Sequence, residues 1–305
     1  MDALAAVVSL LKPQAIVAKI MHGGGRWGVR YSEFGHPSFA LVLKGPCWLA
    51  ASGVPATVLE AGDFVFFPAT PAFTLASDPK VKPKALEPIP SGNAVDEVFH
   101  GDNTVAPSAS LLGGYFTFDS VNAAMLLTLL PKMLHIRAGD PAIATVSPVI
   151  ELIKREALEK RAGQSLVLSR LMEVLLVEAL RSAPADLTAT GLLAGLRDPQ
   201  LTAALHGIHT QTAHPWTLVT LARLAGMSRS SFAERFTRVI GSTPLNYLLQ
   251  WRLAVAKDML RNGQMTVAET ALTVGYESAS GFSTAFSRET GQSPREFVEM
   301  QRGAA

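Results

Sequence analysis

The sequence predicts an α+β protein in two parts: a small β-barrel or sandwich with accompanying helices over residues 1–182, and an all-α domain over residues 200–305. Three observations carry this prediction. Short apolar runs broken by turn residues occupy the first part, two leucine-rich helical stretches follow them, and one helical pattern occurs twice in the last third of the chain, about fifty residues apart.

The strands come first. SFALVLKG, PCWLAAS, ATVLEAGD, FVFFPAT and AFTLAS lie between Trp27 and Leu75, and each is a short β-branched or aromatic run bounded by Gly, Pro, Ser or Asp.

Two amphipathic helices are expected next. Val149, Ile150, Leu152, Ile153, Ala157 and Leu158 form one stripe, and Leu166, Leu168, Leu171, Met172, Leu175, Leu176, Ala179 and Leu180 another. These faces either pack on the barrel or meet a second copy in a homodimer. Residues 183–199, opening with Ala183, Pro184, Ala185 and Asp186, have a linker's composition.

The repeat fills the rest. Leu221, Ala222, Ala225, Gly226, Ser228, Phe232, Phe236, Gly241 and Pro244 are echoed by Thr270, Ala271, Val274, Gly275, Ser278, Phe282, Phe286, Gly291 and Pro294. The offset grows from 49 at Gly226/Gly275 to 50 at Ser228/Ser278, which places one inserted residue in a turn. Each copy is helix, turn, helix: the glycine ends one helix at positive φ, the serine caps the next, and the two phenylalanines share its buried face. Small Ala222 and Ala271 allow the paired helices to cross closely. Between the copies, Pro244 opens a helix whose stripe of Leu245, Leu248, Leu249, Val255, Ala256, Met259 and Leu260 ends at Asn262-Gly263. Some 17 helical residues rise roughly 25 Å, compatible with two recognition helices one DNA turn, roughly 34 Å, apart.

LARLAGMSRSSFAERFTRVIGSTPLNYLLQWRLAVAKDML followed by VAETALTVGYESASGFSTAFSRETGQSPREF resembles the paired helix-turn-helix domain of AraC/XylS-type transcription regulators. LEAGDFVFFP and FALVLKGPCWLA, with LLGGYFTFD at 111–119 and LLP at 129–131, are similar to the cupin-type effector domain that often precedes it, a resemblance that implies a tight turn at Gly62 and Asp63 and a strand end at Pro68. The resemblance implies an N-terminal cupin-like β-barrel, a double helix-turn-helix domain and double-stranded DNA as partner. It further implies a small-molecule effector and a homodimer, with RNA polymerase as another candidate partner. By the same resemblance the base-reading positions fall on Ser230, Ala233 and Glu234 in the first recognition helix, and on Ala279, Ser280, Ser283 and Thr284 in the second. Many relatives carry Arg at the position of Thr284, so the second helix is expected to read sequence weakly. Glu234 either accepts from cytosine N4 or pairs with Arg238 one helical turn later.

Charge is a weaker witness. Residues 200–305 hold ten Lys and Arg against seven Asp and Glu, whereas residues 1–199 hold 17 and 18. Phosphate contacts are expected from helix N-termini, hydroxyls and Arg229, Arg235, Arg238, Arg252 and Arg288.

In the first part, Trp27, Phe39, Trp48, Phe64, Phe66 and Phe73 either line a ligand-binding barrel mouth or fill the core. His22, Glu33 and His36 are irregularly spaced, so no metal or other cofactor and no enzymatic chemistry are expected. His206, His209 and His214 are expected to be exposed. A single cysteine, Cys47, excludes an intramolecular disulfide, and no long apolar span appears; the expectation is a cytoplasmic protein without membrane contact.

Overall fold

The computed structural model describes residues 3–87, 96–118, 127, 130–140, 147–159, 161–182, 190–263 and 265–303. They divide into a β-rich unit, spanning 13–118 and 130–188, and a helical unit spanning 1–12, 119–129 and 189–305.

The β unit contains β1 Pro13–Gly24, β2 Gly28–Tyr31, β3 Ser38–Lys44, β4 Cys47–Ala51, β5 Thr57–Leu59, β6 Phe64–Phe67, β7 Phe73–Ala76, β8 Lys84–Leu86, β9 Asp96–Gly101, β10 Ala109–Phe118 and β11 Leu134–Ile136. Two sheets result, ordered β11-β6-β3-β10-β1-β9 and β5-β4-β7-β2-β8. Pairing is antiparallel except at β1/β9 and β2/β8. Met21, Val42, Val65, Phe67 and Leu111 of the first sheet share one core with Val29, Tyr31, Cys47, Leu49 and Leu75 of the second, so the sheets pack face to face.

All of β6, FVFF, is buried. Val65 and Phe67 face the second sheet, while Phe66 joins Phe39 and Phe116 on the other face, with ring centroids 5.6 and 5.0 Å from Phe116. Two helices, α2 Ser147–Glu159 and α3 Gln164–Ser182, follow the strands, and α3 packs on β1 and β11. Gln164 Nε2 donates to the carbonyls of Glu156 and Ala157, satisfying acceptors at the end of α2. Leu168, Met172, Leu175, Leu176, Ala179 and Leu180 are buried, whereas Leu152, Leu158, Leu166, Val167 and Val174 are exposed.

β1 lies outside the expected set. Its residues PQAIVAKIMHGG mix lysine and histidine with apolar residues, and a register shift between Val17 and Lys19 interrupts the two-residue period.

The helical unit contains α1 Ala3–Leu11, α4 Leu192–Arg197, α5 Thr202–Thr210, α6 Leu218–Leu224, α7 Arg229–Ile240, α8 Pro244–Asn262, α9 Val267–Thr273, α10 Ala279–Thr290 and α11 Pro294–Gly303. Two of these differ from expectation. α4 lies within the stretch expected as a linker: Leu192 and Leu193 are buried, and Gly195 approaches Ile240 so closely that a Cβ there would lie 2.3 Å from its Cδ1. Residues 183–189 of that stretch fall outside the described set. α1, expected with the barrel, packs on α5 and α8 and buries Ala3, Ala6, Val7, Leu10 and Leu11. Lys12 Nζ bonds Asp258 on α8 at 2.6 Å.

α8 corrects the expected stripe. Leu248, Ala256 and Leu260 are buried and Leu249, Val255 and Met259 partly so, but Leu245 is exposed, and Tyr247 and Trp251 supply the missing apolar surface. His209 is buried as well, its Nε2 2.8 Å from the Tyr247 hydroxyl and its ring on Trp251, contrary to the exposed position expected of it. An imidazole has enough apolar surface to join an aromatic core once one nitrogen finds a partner.

Candidate functional site

Both helix-turn-helix copies are built by local chemistry. In the first, the Thr217 and Thr220 side chains cap the start of α6 reciprocally, Gly226 takes φ +63°, and Ser228 Oγ accepts from Ser231 N to begin α7. Phe232 and Phe236, with ring centroids 5.5 Å apart, anchor that helix, and left-handed Gly241 ends it. In the second, Thr266 and Glu269 form the capping box of α9, Gly275 takes φ +87°, and Ser278 Oγ accepts from Gly281 N to begin α10. A Cβ on Gly275 would lie 2.7 Å from the Ala213 carbonyl oxygen, so close approach as well as positive φ demands glycine there. The extra residue of the second copy lies in the turn between Gly275 and Ser278.

The two presented faces differ. On α7, Arg229, Ser230, Glu234 and Arg238 are exposed and Ala233 is half-buried. No ion pair joins Glu234 to Arg238 among the described residues. Arg235 is engaged elsewhere: its Nε donates to Asp198 Oδ2 at 2.8 Å, tying α7 to the end of α4. Burial opposes ionisation of Asp198 but is outweighed by Arg235 and the amides of Gln200 and Leu201, which hold its carboxyl below the usual range. Arg252 is likewise a scaffold residue, donating to the carbonyls of Thr212 and His214.

On α10, Ser280, Thr284 and Arg288 are exposed while Ala279 and Ser283 are half-buried. Thr284 Oγ1 donates to the Ser280 carbonyl within the helix, and Arg288 Nε lies 3.0 Å from Glu289 Oε1. Ala279, Ser280 and Ser283 border a groove completed by Thr266, Ser293 and Arg295. Arg295 was not among the expected contacts; its place beside the second Pro of the repeat could have indicated it.

In the β unit a cavity of about 120 Å³ is lined by Lys19, Met21, Tyr31, Phe34, Phe39, Ala40, Thr70, Phe73, Leu75, Leu111, Gly113 and Tyr115, among others. Of the six aromatic residues expected at a ligand site, Phe39 and Phe73 line it. Trp27, Phe64 and Phe66 are core residues, each 2% exposed or less: Trp27, between β1 and β2, packs into the core between the sheets, and β6, which carries the two phenylalanines, is covered on both faces. Trp48 on β4 is half-buried and does not reach this cavity. Lys19, Tyr31 and Gly113 went unforeseen, although the Gly113-Gly114 pair inside a strand pattern is a signal of open space or close approach.

Near the barrel turn, Asp63 and His135 form a buried pair at 2.8 Å. Asp63 also accepts from the amides of Glu60 and Ala138, and so does far more than shape a turn. Cys47 is buried, and burial together with Asp63 and Glu60 pushes its thiol up to about 12, leaving it protonated and unreactive. Among the described residues, no cluster of three or more His, Cys, Asp or Glu could hold a metal, and no helix is long and apolar enough to cross a membrane.

Residues 2–185 match the cupin family and residues 221–300 a helix-turn-helix domain family. An AraC-like transcription regulator of Streptomyces lividans is 34% identical over 308 residues, covering 97% of this chain and 98% of its own. The chain belongs to the AraC-like transcription regulators. This AraC-like regulator is also 33% identical to one from Streptomyces antibioticus, over 97% and 98% of the two chains. It is 29% identical to the RCS-specific HTH-type transcriptional activator RclR of Escherichia coli (strain K12), over 100% of both. Residues 221–300 of its helical unit thus belong to a DNA-binding domain, with a cupin domain ahead of them in the chain.

Proposed function

We propose that this AraC-like regulator selects its promoter sites mainly through α7, uses α10 chiefly as an anchor, and responds to a small molecule held in the cupin cavity. One observation carries the reading: exposed charged groups of α7 are available, whereas Thr284 and Arg288 of α10 are already engaged. Arg229, Glu234 and Arg238 project from α7 without a protein ion pair among the described residues, but Thr284 bonds its own helix and Arg288 lies against Glu289. Short hydroxyls contact phosphate or any base, whereas Arg and Glu make the directional base contacts worth about 1–3 kcal/mol of discrimination.

Glu234→Ala should therefore change base preference within one half of the site, and Thr284→Ala should weaken all sequences by a similar small amount. A randomised-operator selection on both variants tests this. A preference change confined to Thr284→Ala, with Glu234→Ala silent, reverses the assignment. Affinity should also fall linearly in log Kd against log salt, since phosphate contacts release counterions.

The exposed Leu152, Leu158, Leu166, Val167 and Val174 on α2 and α3 support a homodimer seam, in which two moderate DNA contacts add on one operator. The regulator acts on cytoplasmic DNA and performs no catalysis in this reading.

A further inference from the structure

The cavity of the cupin domain carries enough chemistry to name its ligand class. One row across three strands forms part of its wall: Lys19 on β1 is directly opposite Gly113 on β10, which is opposite Ala40 on β3. Directly opposed residues project from the same face of a sheet. A hydrogen atom and a methyl group therefore stand beside the lysine where two larger side chains would normally fill the space. A Cβ built on Gly113 meets nothing nearer than the Phe39 carbonyl oxygen at 3.9 Å, so the missing side chain is what leaves the room. Met21, Phe73, Leu75 and Leu111 supply apolar walls.

Among the described lining residues, Lys19 is the charged one. Its Nζ donates to the Tyr31 hydroxyl at 3.1 Å and sits 4.4 Å from that ring's centroid, and among the described residues it has no carboxylate partner. An ammonium offers three donors, so two remain for a ligand. The Tyr31 oxygen accepts from Lys19, which leaves its own O–H free to donate. His100 is held below its ordinary pKa first by burial and then by the positive charges of Lys19 and Lys84.

We propose that the cavity binds a small organic acid whose carboxylate is held by Lys19 Nζ and Tyr31 Oη and whose single-ring-sized or short-chain apolar body occupies the space beside Gly113 and Ala40. This rests on the reading of the cavity as the effector site. The size is of the right order: an apolar cavity of about 150 Å³ accommodates benzene, and this one measures about 120 Å³ and is partly open to solvent. A neutral molecule of the same shape would cover the ammonium without pairing it, and an amine would add repulsion.

Calorimetric titration of the full-length protein with phenylacetate and with its neutral amide, phenylacetamide, tests the assignment. Phenylacetate should bind roughly tenfold to a hundredfold more tightly than the amide, as a charge-assisted bond predicts. Lys19→Met should erase that difference, and Tyr31→Phe should reduce it while retaining the ring. Gly113→Val, which fills the cavity with a residue suited to a strand, should abolish binding of both. Melting curves identify any variant that loses the barrel, in which case Tyr31→Phe carries the test. Equal affinity for acid and amide, or undiminished acid binding by Lys19→Met, overturns the anionic assignment; loss of binding in Gly113→Val would still leave the effector cavity standing. Acid binding unchanged by Gly113→Val overturns both the assignment and the effector-site reading. Absence of binding by phenylacetate to the wild-type protein overturns the assignment.

Discussion

A chain lacking residues 1–12 is expected to have a DNA-binding domain weakened by several kcal/mol, although those residues lie at the opposite end of the sequence. α1 reads ALAAVVSLL and buries Val7, Leu10 and Leu11, with Ala3 and Ala6, in its packing on α5 and α8. Burial of one such aliphatic side chain contributes about 1.5–3 kcal/mol, so three give roughly 4–9 kcal/mol as an upper bound, since the unfolded chain already hides some of that surface. The Lys12–Asp258 pair adds little, because its lysine is 36% exposed.

His209 supplies an independent readout of the same event. Burial pushes its pKa from 6.5 down to about 3, against the opposing influence of the Ala3 backbone at the start of α1. A histidine whose folded pKa is depressed is neutral in the native state, so acid favours the unfolded chain, which takes up the proton first. The helical unit should thus lose stability as pH falls below about 6.5, the loss continuing towards about 3. Without α1 the imidazole is wetter, its pKa should return towards 6.5, and this acid sensitivity should shrink. Urea unfolding at pH 7.5 and pH 5, with an NMR titration of His209, measures both effects. An unchanged unfolding midpoint in the deletion would show that α1 contributes nothing to this domain.

Asp63→Ala should cost the cupin domain about 3–5 kcal/mol, the range for removing one partner of a buried pair. The carboxylate accepts from His135 Nε2 at 2.8 Å and from the amides of Ala138 and Glu60 at 2.9 and 3.1 Å; alanine leaves all three donors without it. Burial raises the Asp63 pKa, but the bonds from His135, Ala138 and Glu60 outweigh it and hold the group below its ordinary value of 3.8. A depressed carboxylate contributes stability that is present above the unfolded pKa and lost as pH falls through the folded one. Asp63→Asn should therefore remove a component of stability that the wild type retains down to about pH 4. Denaturant melts of wild type and both variants at pH 7 and at about pH 3, below the ordinary carboxylate value, resolve it, and a cost for Asp63→Ala below about 1 kcal/mol would contradict the pair's structural role.

Legibility in the sequence tracked the range of the interaction. Gly226, Ser228, Phe232 and their second-copy counterparts were readable because a cap, a positive φ and an i,i+4 pair each depend on residues within one or two helical turns. The strands from Ser38 to Ala76 were readable for a similar reason, being short alternating runs closed by turn residues. β1 was not, because its lysine, histidine and register shift disguise the period that its neighbours in the sheet impose on it. The aromatic residues expected at a cavity divided: Phe73 lines it, Phe39 borders it while packing in the core with Phe66 and Phe116, and Phe64 and Phe66 are core alone.

By itself, then, the sequence determined a double helix-turn-helix preceded by a β-rich domain, and through its turn chemistry where the paired helices of each copy begin and end. Tertiary structure alone decided which charged side chains remain available and where the open space lies. Arg235 is taken by Asp198, 37 residues away; Asp63 pairs with His135 across 72; and Lys19 stands beside Gly113 through strand register. Long-range partners leave no local trace, because burial, pairing and register belong to the packed chain and to no single stretch of it.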